Sequence, residues 1–113
     1  MQPTAHGPQM AEFVRVCAVS DIPDPGQKVF EVDERFIVLF HVGGQFYAID
    51  DACTHDDGPL GDGRLNGLEI MCPRHGARFD IRDGRALCLP AFQAVPVHEV
   101  KVNGEEVWVR LKE

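Results

Sequence analysis

Short runs of apolar and β-branched residues alternate with turn-forming residues along most of this chain, which is the pattern expected for β-strands. Strands are predicted over residues 13–18, 29–32, 35–42, 46–49, 95–102 and 107–111. The run 35–42 is apolar on both faces and should therefore lie at the centre of a sheet. No segment of helical length shows a 3.6-residue apolar repeat, so the predicted fold class is all-β, a small sandwich or partly open barrel.

Turn residues between these runs predict two hairpins. Gly43 and Gly44 separate the third and fourth predicted strands, and Asn103 and Gly104 separate the last two. An Asn-Gly pair between extended segments is typical of a type I′ turn, in which both central residues adopt a positive φ. The last two strands are therefore predicted to form a tight hairpin.

The segment 50–91 has a different character, because glycine is frequent in it and the predicted strands are short. Two such strands are expected, over residues 69–71 and 77–81. We interpret this segment as a loop-rich lobe inserted into the β domain. Residues 1–11 show no periodicity and are expected to form a disordered tail, which leaves a single domain over residues 12–113.

The overall charge narrows the range of partners. The 113 residues carry a formal net charge of −7, which disfavours nucleic acid or an anionic membrane surface as a partner. No apolar stretch approaches the length of a membrane span, and no secretory signal is visible. The chain is expected to be a soluble, cytoplasmic monomer, in which cysteines indicate metal or redox chemistry before disulfides.

Two of the cysteines each have a histidine close by in the sequence. Cys53 and His55 form a C-x-H motif, and residues 56–71 separate it from Cys72 and His75, which form C-x-x-H. Each loop supplies one thiolate and one imidazole, whereas zinc fingers usually pair like with like. The arrangement suits a site with two metals, one bound by both cysteines and the other by both histidines. A structural zinc site stays an alternative, as does a thiol nucleophile.

Charge counting indicates what a two-iron cluster with such ligands would do. Two ferric irons, two sulfides and two thiolates sum to zero, because neutral imidazoles add no charge. Replacing two of four thiolates by imidazoles raises the potential from about −400 mV to roughly −150 to +300 mV. The electron should reside on the His-ligated iron. Gly58, Gly61 and Gly76 are expected to let the backbone approach the sulfides and to direct N–H groups at them.

These residues resemble the Rieske [2Fe-2S] family. The two halves of its motif are similar to Cys53-Thr54-His55 and to Cys72-Pro73-Arg74-His75-Gly76, and residues 89–91 resemble the proline loop that covers the cluster. The resemblance extends from about residue 13 to residue 111. It implies the Rieske fold and one [2Fe-2S] cluster. The implied ligands are Cys53, His55, Cys72 and His75.

The chain is more similar to the stand-alone ferredoxins of ring-hydroxylating oxygenase systems than to respiratory Rieske subunits. The latter have an extra cysteine in each loop, where this chain has Gly58 and Arg74. They also have hydroxyl donors where this chain has Ala77 and Phe79, which implies a low potential, roughly −150 to 0 mV. The small subunit of nitrite reductase shares the fold but typically lacks the four ligands. All four are present in this chain, so that class is disfavoured.

The resemblance implies an electron carrier and not an enzyme. It would take one electron from a flavoprotein ferredoxin reductase and pass it to a terminal oxygenase through a small, weak interface. Two other classes stay open at this point. One is a regulatory module that uses the cluster as a redox sensor, and the other is a structural zinc module.

The remaining cysteines and histidines belong to no motif. Cys17 and Cys88 are expected to be small buried side chains, and a disulfide between them is disfavoured in a reducing compartment. His41 and His98 lie in predicted strands and are expected at the surface or half-buried.

Overall fold

The described part of the chain folds almost entirely into β-strands. The computed structural model describes residues 13–52, 58–74, 76–89 and 93–112. The strands are β1 Val14–Ala18, β2 Gly26–Val32, β3 Arg35–Val42, β4 Gln45–Asp50, β5 Arg64–Asn66, β6 Glu69–Met71, β7 Arg78–Asp80, β8 Val97–Asn103 and β9 Glu106–Arg110. A short 3-10 turn, Val19–Asp21, follows β1, and these ranges contain no α-helix. The predicted all-β fold is confirmed.

Six strands form one antiparallel sheet in the order β1-β9-β8-β4-β3-β2. Its two edge strands, β1 and β2, contact each other, so the sheet curls into a nearly closed barrel. The strands β5, β6 and β7 form a second antiparallel sheet within the segment 50–91. The structure thus has a barrel and a smaller lobe, as predicted, although β5 is absent from the predicted strands.

Strand β3 lies between β2 and β4, and its side chains enter two separate cores. The first core joins the barrel to the lobe and consists of Val38, Phe40, Ile49, Leu60, Ile70, Cys72, Ala77, Phe79, Ile81 and Val95. The second consists of barrel residues alone: Cys17, Ile22, Val32, Ile37, Leu39, Ala48, Val107 and Val109. Successive residues of a strand face opposite sides, which explains why β3 is apolar on both faces.

Two-residue turns connect β3 to both of its neighbours. Gly43 and Gly44 have φ values of 60° and 79°, which confirms the predicted hairpin between β3 and β4. Asp33 and Glu34 also have positive φ values, 50° and 68°, so the turn between β2 and β3 belongs to the type I′ class without a glycine. This turn has little sequence signal, because glutamate rarely adopts a positive φ.

The last hairpin differs from the predicted one. Asn103 is the final residue of β8 and pairs with Glu106, so the turn consists of Gly104 and Glu105. Gly104 has a φ of 64°, and Glu105 is not among the residues with positive φ. A positive φ at the first central position alone fits a type II′ turn. The prediction of a type I′ turn centred on Asn103 and Gly104 is wrong by one position.

The burial of Cys88 and of His98 differs from what was predicted. Cys17 is buried as predicted, and desolvation raises the pKa of its thiol. Cys88 is only partly buried, so its predicted burial is wrong, and both cysteines are free thiols. His41 is half-buried as predicted, whereas the side chain of His98 is 0% exposed. The burial of His98 results from packing between distant segments, which its own strand does not reveal.

Some predictions fall outside the described residues. They concern the tail over residues 1–11, the cluster ligands Cys53, His55 and His75, and Pro90 and Ala91 of the proline loop.

None of the described segments forms an apolar helix of the length that a membrane span requires.

Candidate metal centre

Of the four predicted ligands, Cys72 is the one that lies in the described part of the chain. It directly follows β6 and is buried, with 1% of its surface exposed. Cys53, His55 and His75 lie outside the described residues, so the loops that carry them are defined by the residues on either side. The described ranges contain no group of three or more His, Cys, Asp or Glu residues placed to hold a metal ion.

Two backbone hydrogen bonds close the loop that carries Cys72 and His75. The Cys72 N–H donates to the Ala77 carbonyl at 2.7 Å, and the Gly76 N–H donates to the Cys72 carbonyl at 3.1 Å. Gly76 has a φ of 77°, a conformation that residues with a side chain rarely adopt. The chain therefore reverses directly after Cys72, and both ends of the loop are fixed to each other.

The carboxylate of Asp51 closes the loop that carries Cys53 and His55. Its Oδ1 accepts hydrogen bonds from the Leu60 N–H at 2.8 Å and from the Gly61 N–H at 2.6 Å. Asp51 lies two residues before Cys53 in the sequence. One carboxylate oxygen thus joins the chain that enters the first loop to the chain that leaves it.

The two loops share one hydrophobic core. Leu60, at the end of the first loop, is fully buried in the same core as Cys72 and Ala77 of the second loop. Cys72 therefore places a soft sulfur ligand inside the core, at the junction of the two loops.

An electrostatic contact beside the second loop has no counterpart in the sequence-based predictions. The Arg78 Nε donates to the Cys88 Sγ at 3.5 Å, and the Arg78 Nη1 lies 3.4 Å from a carboxylate oxygen of Glu69. The guanidinium lowers the pKa of the Cys88 thiol. The Cys88 Sγ also lies 3.6 Å from the Gly76 carbonyl oxygen, so it contacts the second loop. Because Arg78 and Cys88 lie ten positions apart, no local motif indicates this pair.

A buried carboxylate organises the turn that follows β7. Asp80 accepts hydrogen bonds from the Arg82 backbone N–H at 2.9 Å and from its Nε and Nη2 at 3.0 and 2.7 Å. These bonds lower the pKa of Asp80, and the Gly84 N–H donates to its carbonyl at 2.7 Å. Asp80 is the last residue of β7, whereas the Cys72 loop lies before the first residue of that strand. Asp80 therefore stabilises the lobe at the end of β7 that is distant from Cys72.

A comparison with protein families shows that the Rieske [2Fe-2S] domain matches residues 12–107. The chain belongs to the Rieske [2Fe-2S] domain family. The ferredoxin component of the naphthalene 1,2-dioxygenase system of Pseudomonas aeruginosa is 37% identical over 100 residues, which cover 88% of this chain and 96% of that protein. The similarity therefore extends over almost the whole of that ferredoxin component.

Solved structures give the same result. The ferredoxin of carbazole 1,9a-dioxygenase from Nocardioides aromaticivorans IC177 matches with a TM-score of 0.85 at 33% identity, over 88% of this chain and 98% of that one. A complex of reduced oxygenase and oxidized ferredoxin in carbazole 1,9a-dioxygenase contains a chain that matches with a TM-score of 0.84 at 34% identity. The match covers 90% of this chain and 97% of that one. The Rieske fold of the present chain is thus confirmed.

Membership of the Rieske family indicates one [2Fe-2S] cluster and an electron-carrier role. The relatives are ferredoxin components, which carry electrons and are not the catalytic subunits of their systems. The described residues fit such a cluster, because Cys72 offers a buried soft thiol at the junction of two closed loops. A buried thiol would also suit zinc, so it is the match to the Rieske [2Fe-2S] domain that decides against a structural zinc module.

Two glycines of the Rieske loops use their N–H groups differently from the prediction. The Gly61 N–H donates to Asp51, and the Gly76 N–H donates to the Cys72 carbonyl. Both groups are engaged within the protein, so the prediction that they point at the sulfides is wrong. Gly61 is needed for another reason. A Cβ there would lie 2.1 Å from the Val29 Cγ2, so a side chain at residue 61 would force the loop or the Val29 side chain to move.

Proposed function

We propose that this Rieske protein carries single electrons from a flavoprotein ferredoxin reductase to a terminal oxygenase. The observation that carries the proposal is the match over 96% of a ferredoxin component that stands alone as a separate chain. The similarity to a chain in a complex of reduced oxygenase and oxidized ferredoxin supports an oxygenase as the electron acceptor. The reductase is proposed because such a carrier needs a one-electron donor.

In this proposal Cys53 and Cys72 bind one iron, and His55 and His75 bind the other. Support comes from the two loops, each of which contains one proposed cysteine and one proposed histidine and is closed at its base by hydrogen bonds. When bound, the cluster takes up and releases one electron at a potential above that of all-cysteine clusters. The chain itself holds the ligands in place and keeps water away from the Cys72 sulfur.

We further propose that the potential lies at the low end of the Rieske range, roughly −150 to 0 mV. Ala77 and Phe79 follow His75 of the second loop and are fully buried, and neither carries a hydroxyl group. Hydrogen bonds to the cluster or to its cysteine sulfurs would stabilise the reduced state and raise the potential. At these two positions no side chain can donate such a bond.

The carrier is proposed to act as a cytoplasmic monomer. Its domain would span residues 12–113, with residues 50–91 as the lobe that binds the cluster and residues 1–11 as a tail outside the domain. The net charge of −7 argues against nucleic acid or an anionic membrane as a partner. Contacts with the reductase and the oxygenase would be small and short-lived, as is usual for electron-transfer partners.

Low-temperature EPR of the dithionite-reduced holoprotein, with iron and sulfide assays, tests the cluster assignment. We expect a rhombic S = ½ signal with an average g-value well below that of an all-cysteine cluster, and equal amounts of iron and sulfide. The reduced protein should then be oxidised faster by a purified ring-hydroxylating oxygenase than by buffer alone under anaerobic conditions. An EPR-silent protein that contains zinc and lacks sulfide would refute the proposal.

A further inference from the structure

Two side chains from distant parts of the sequence contact the same turn of the first cluster loop. The turn spans residues 60–63 and is closed by a hydrogen bond from the Gly63 N–H to the Leu60 carbonyl at 2.9 Å. We propose that Gln27 and Asp51 are positioning residues that clamp this turn to the barrel and so fix the loop proposed to carry two cluster ligands. This inference rests on the function proposed above, because it assumes that the loop holds Cys53 and His55.

Asp51 forms the first half of the clamp. Its Oδ1 accepts the N–H groups of Leu60 and Gly61, at 2.8 and 2.6 Å. Its own backbone N–H donates to the Phe36 carbonyl of β3 at 3.0 Å. Asp51 therefore connects β3 to the start of the turn through hydrogen bonds of its backbone and its side chain.

Gln27 forms the second half from a different strand. It lies in β2, opposite Phe40 of β3, and its Nε2 donates to the carbonyls of Gly61 and Gly63, at 2.8 and 3.1 Å. Both hydrogens of the amide are thus used on one turn. A glutamate of the same shape has no hydrogen to donate, so the donor chemistry at this position is specific to an amide. Because Gly61 donates to Asp51 and accepts from Gln27, its peptide units are fixed from both sides.

The turn also touches the strand that leads into the second loop. A Cβ on Gly61 would lie 2.1 Å from the Val29 side chain of β2, and a Cβ on Gly63 would lie 2.1 Å from the Met71 carbonyl oxygen of β6. Met71 immediately precedes Cys72. The turn therefore fills the gap between the barrel and β6 without spare room. A shift of the turn would displace the backbone next to a proposed ligand of the second loop as well.

This arrangement matters for an electron carrier because the ligands should move little when the charge on the cluster changes. Residues that contact the ligand loops, and not the metal itself, orient the ligands and tune the centre. A site held by packed side chains on strands is positioned more accurately than one that depends on loops alone. Gln27 and Asp51 connect the first loop to two strands of the barrel in this way.

Gln27→Glu tests the clamp, because it keeps the shape of the side chain and removes both donors. We expect the variant holoprotein to give a broadened rhombic EPR signal and an electron-transfer rate to an oxygenase about tenfold below that of the wild type. Gln45→Glu is the matched control, since Gln45 is exposed at the start of β4 and receives the same added charge. It should leave the line shape and the rate unchanged.

Variants at the second residue separate positioning from general destabilisation. Asp51→Asn keeps an acceptor oxygen for the two N–H groups and should retain the narrow signal, whereas Asp51→Ala should broaden it as Gln27→Glu does. If Gln27→Glu fails to fold, Gln27→Met removes both donors without a charge and should show the same effects in milder form. Lower thermal stability alone, with unchanged line width and rate in the Gln27 variants, would overturn the clamp.

The wild-type spectrum separates failure of the proposed function from failure of the clamp. If the wild-type holoprotein shows no Rieske signal, the proposed function fails and the clamp fails with it. If the wild type gives the signal and the Gln27 and Asp51→Ala variants match it in line width and rate, the clamp alone is refuted.

Discussion

The imidazole of His98 donates a hydrogen bond to the carboxylate of Asp50, with 2.7 Å between Nε2 and Oδ1. A second contact sets the tautomer, because the His98 Nδ1 accepts the backbone N–H of Lys112 at 2.9 Å and therefore carries no proton. Arg35 donates to the same oxygen of Asp50 at 2.9 Å, and also to the Lys112 carbonyl at 2.9 Å. A neutral His98 thus ties the end of β4 and the start of β8 to the C-terminal residues.

This contact predicts a pH dependence of stability. Burial lowers the pKa of His98, although Asp50 opposes the effect. Because the pKa of histidine in the unfolded chain is about 6.5, the unfolded state binds the extra proton first as the pH falls. The contribution of a neutral His98 to the free energy of unfolding is therefore complete above about pH 6.5, and it declines as the pH falls from there through the lowered pKa of the folded state.

Denaturant unfolding between about pH 5 and pH 8, in the wild type and in His98→Gln, measures this contribution. The variant should be less stable at high pH and should lose less stability on acidification. Parallel curves for the two proteins would show that His98 titrates alike in the folded and unfolded states.

The proposed ligands predict the direction of a change in potential. His55→Cys or His75→Cys replaces a neutral imidazole by a charged thiolate, so the potential of a surviving cluster should fall towards the value of all-cysteine clusters, about −400 mV. EPR-monitored redox titration measures it. His41→Cys, at a half-buried position in β3, is the matched control and should leave the potential unchanged. An unaltered potential in both ligand variants would contradict the placement of the electron on the His-ligated iron.

A hydroxyl group next to the second loop should raise the potential. Ala77→Ser adds a hydroxyl donor at this position. A bond that strengthens on reduction by about 1 kcal/mol corresponds to about 40 mV for one electron. Ala48→Ser adds the same hydroxyl to the core inside the barrel and should leave the potential unchanged. Equal potentials for Ala77→Ser and the wild type would indicate that residue 77 does not reach the cluster or its cysteines.

Neighbouring residues of β3 should have different effects on the cluster. Leu39 and Phe40 are both fully buried, but Leu39 packs inside the barrel and Phe40 packs between the barrel and the lobe. Truncation of either residue to alanine should lower the free energy of unfolding by about 3 kcal/mol. Only Phe40→Ala should also lower the iron and sulfide content, because its cavity adjoins the core that contains Cys72. Equal cluster loss in both variants would mean that general destabilisation controls cluster retention.

The contact between Arg78 and Cys88 predicts a reactive thiol. Because the guanidinium lowers the pKa of Cys88, iodoacetamide should alkylate Cys88 at a lower pH than an ordinary exposed cysteine. Mass spectrometry of digested protein identifies the alkylated residue, and the buried Cys17 should react slowly. Arg78→Gln should slow the reaction of Cys88, whereas Arg64→Gln, an exposed arginine of the same lobe, should not. Equal rates in both variants would show that Arg78 does not activate the thiol.

Local patterns predicted those features that depend on neighbouring residues. The apolar residues on both faces of β3 were sufficient to predict a central strand, and the two glycines that follow it were sufficient to predict a hairpin. Strand periodicity and positive φ are properties of short segments, so neither prediction needed distant residues. The motif of Cys53, His55, Cys72 and His75 was visible in the same way, because its spacing is chemically unusual, and its role as the ligand set stays a prediction. Fold class and family membership were predicted from such signals and are confirmed.

The features that the sequence could not predict depend on contacts between distant segments. The burial of His98 requires Asp50 and Lys112, and the lowering of the Cys88 pKa requires Arg78. The engagement of the Gly61 N–H by Asp51 likewise becomes visible only when the loop is folded back. The turn at Gly104 was misplaced because the register of β8 and β9, and not the Asn-Gly pair, decides which residues occupy the turn.

The two faces of β3 also have a consequence for how the chain avoids misfolding. On most strands a slip by one residue would expose apolar side chains to water and would be rejected for that reason. On β3 such a slip would exchange the apolar residues of one core with those of the other and would expose little apolar surface to water. The burial of apolar side chains therefore distinguishes poorly between the native register and the shifted one. The alignment is instead determined from both ends, by the tight turns at residues 33–34 and 43–44. We therefore expect that one extra residue in either turn would favour a register in which the side chains that now face the barrel core face the lobe, although the composition of β3 is unchanged.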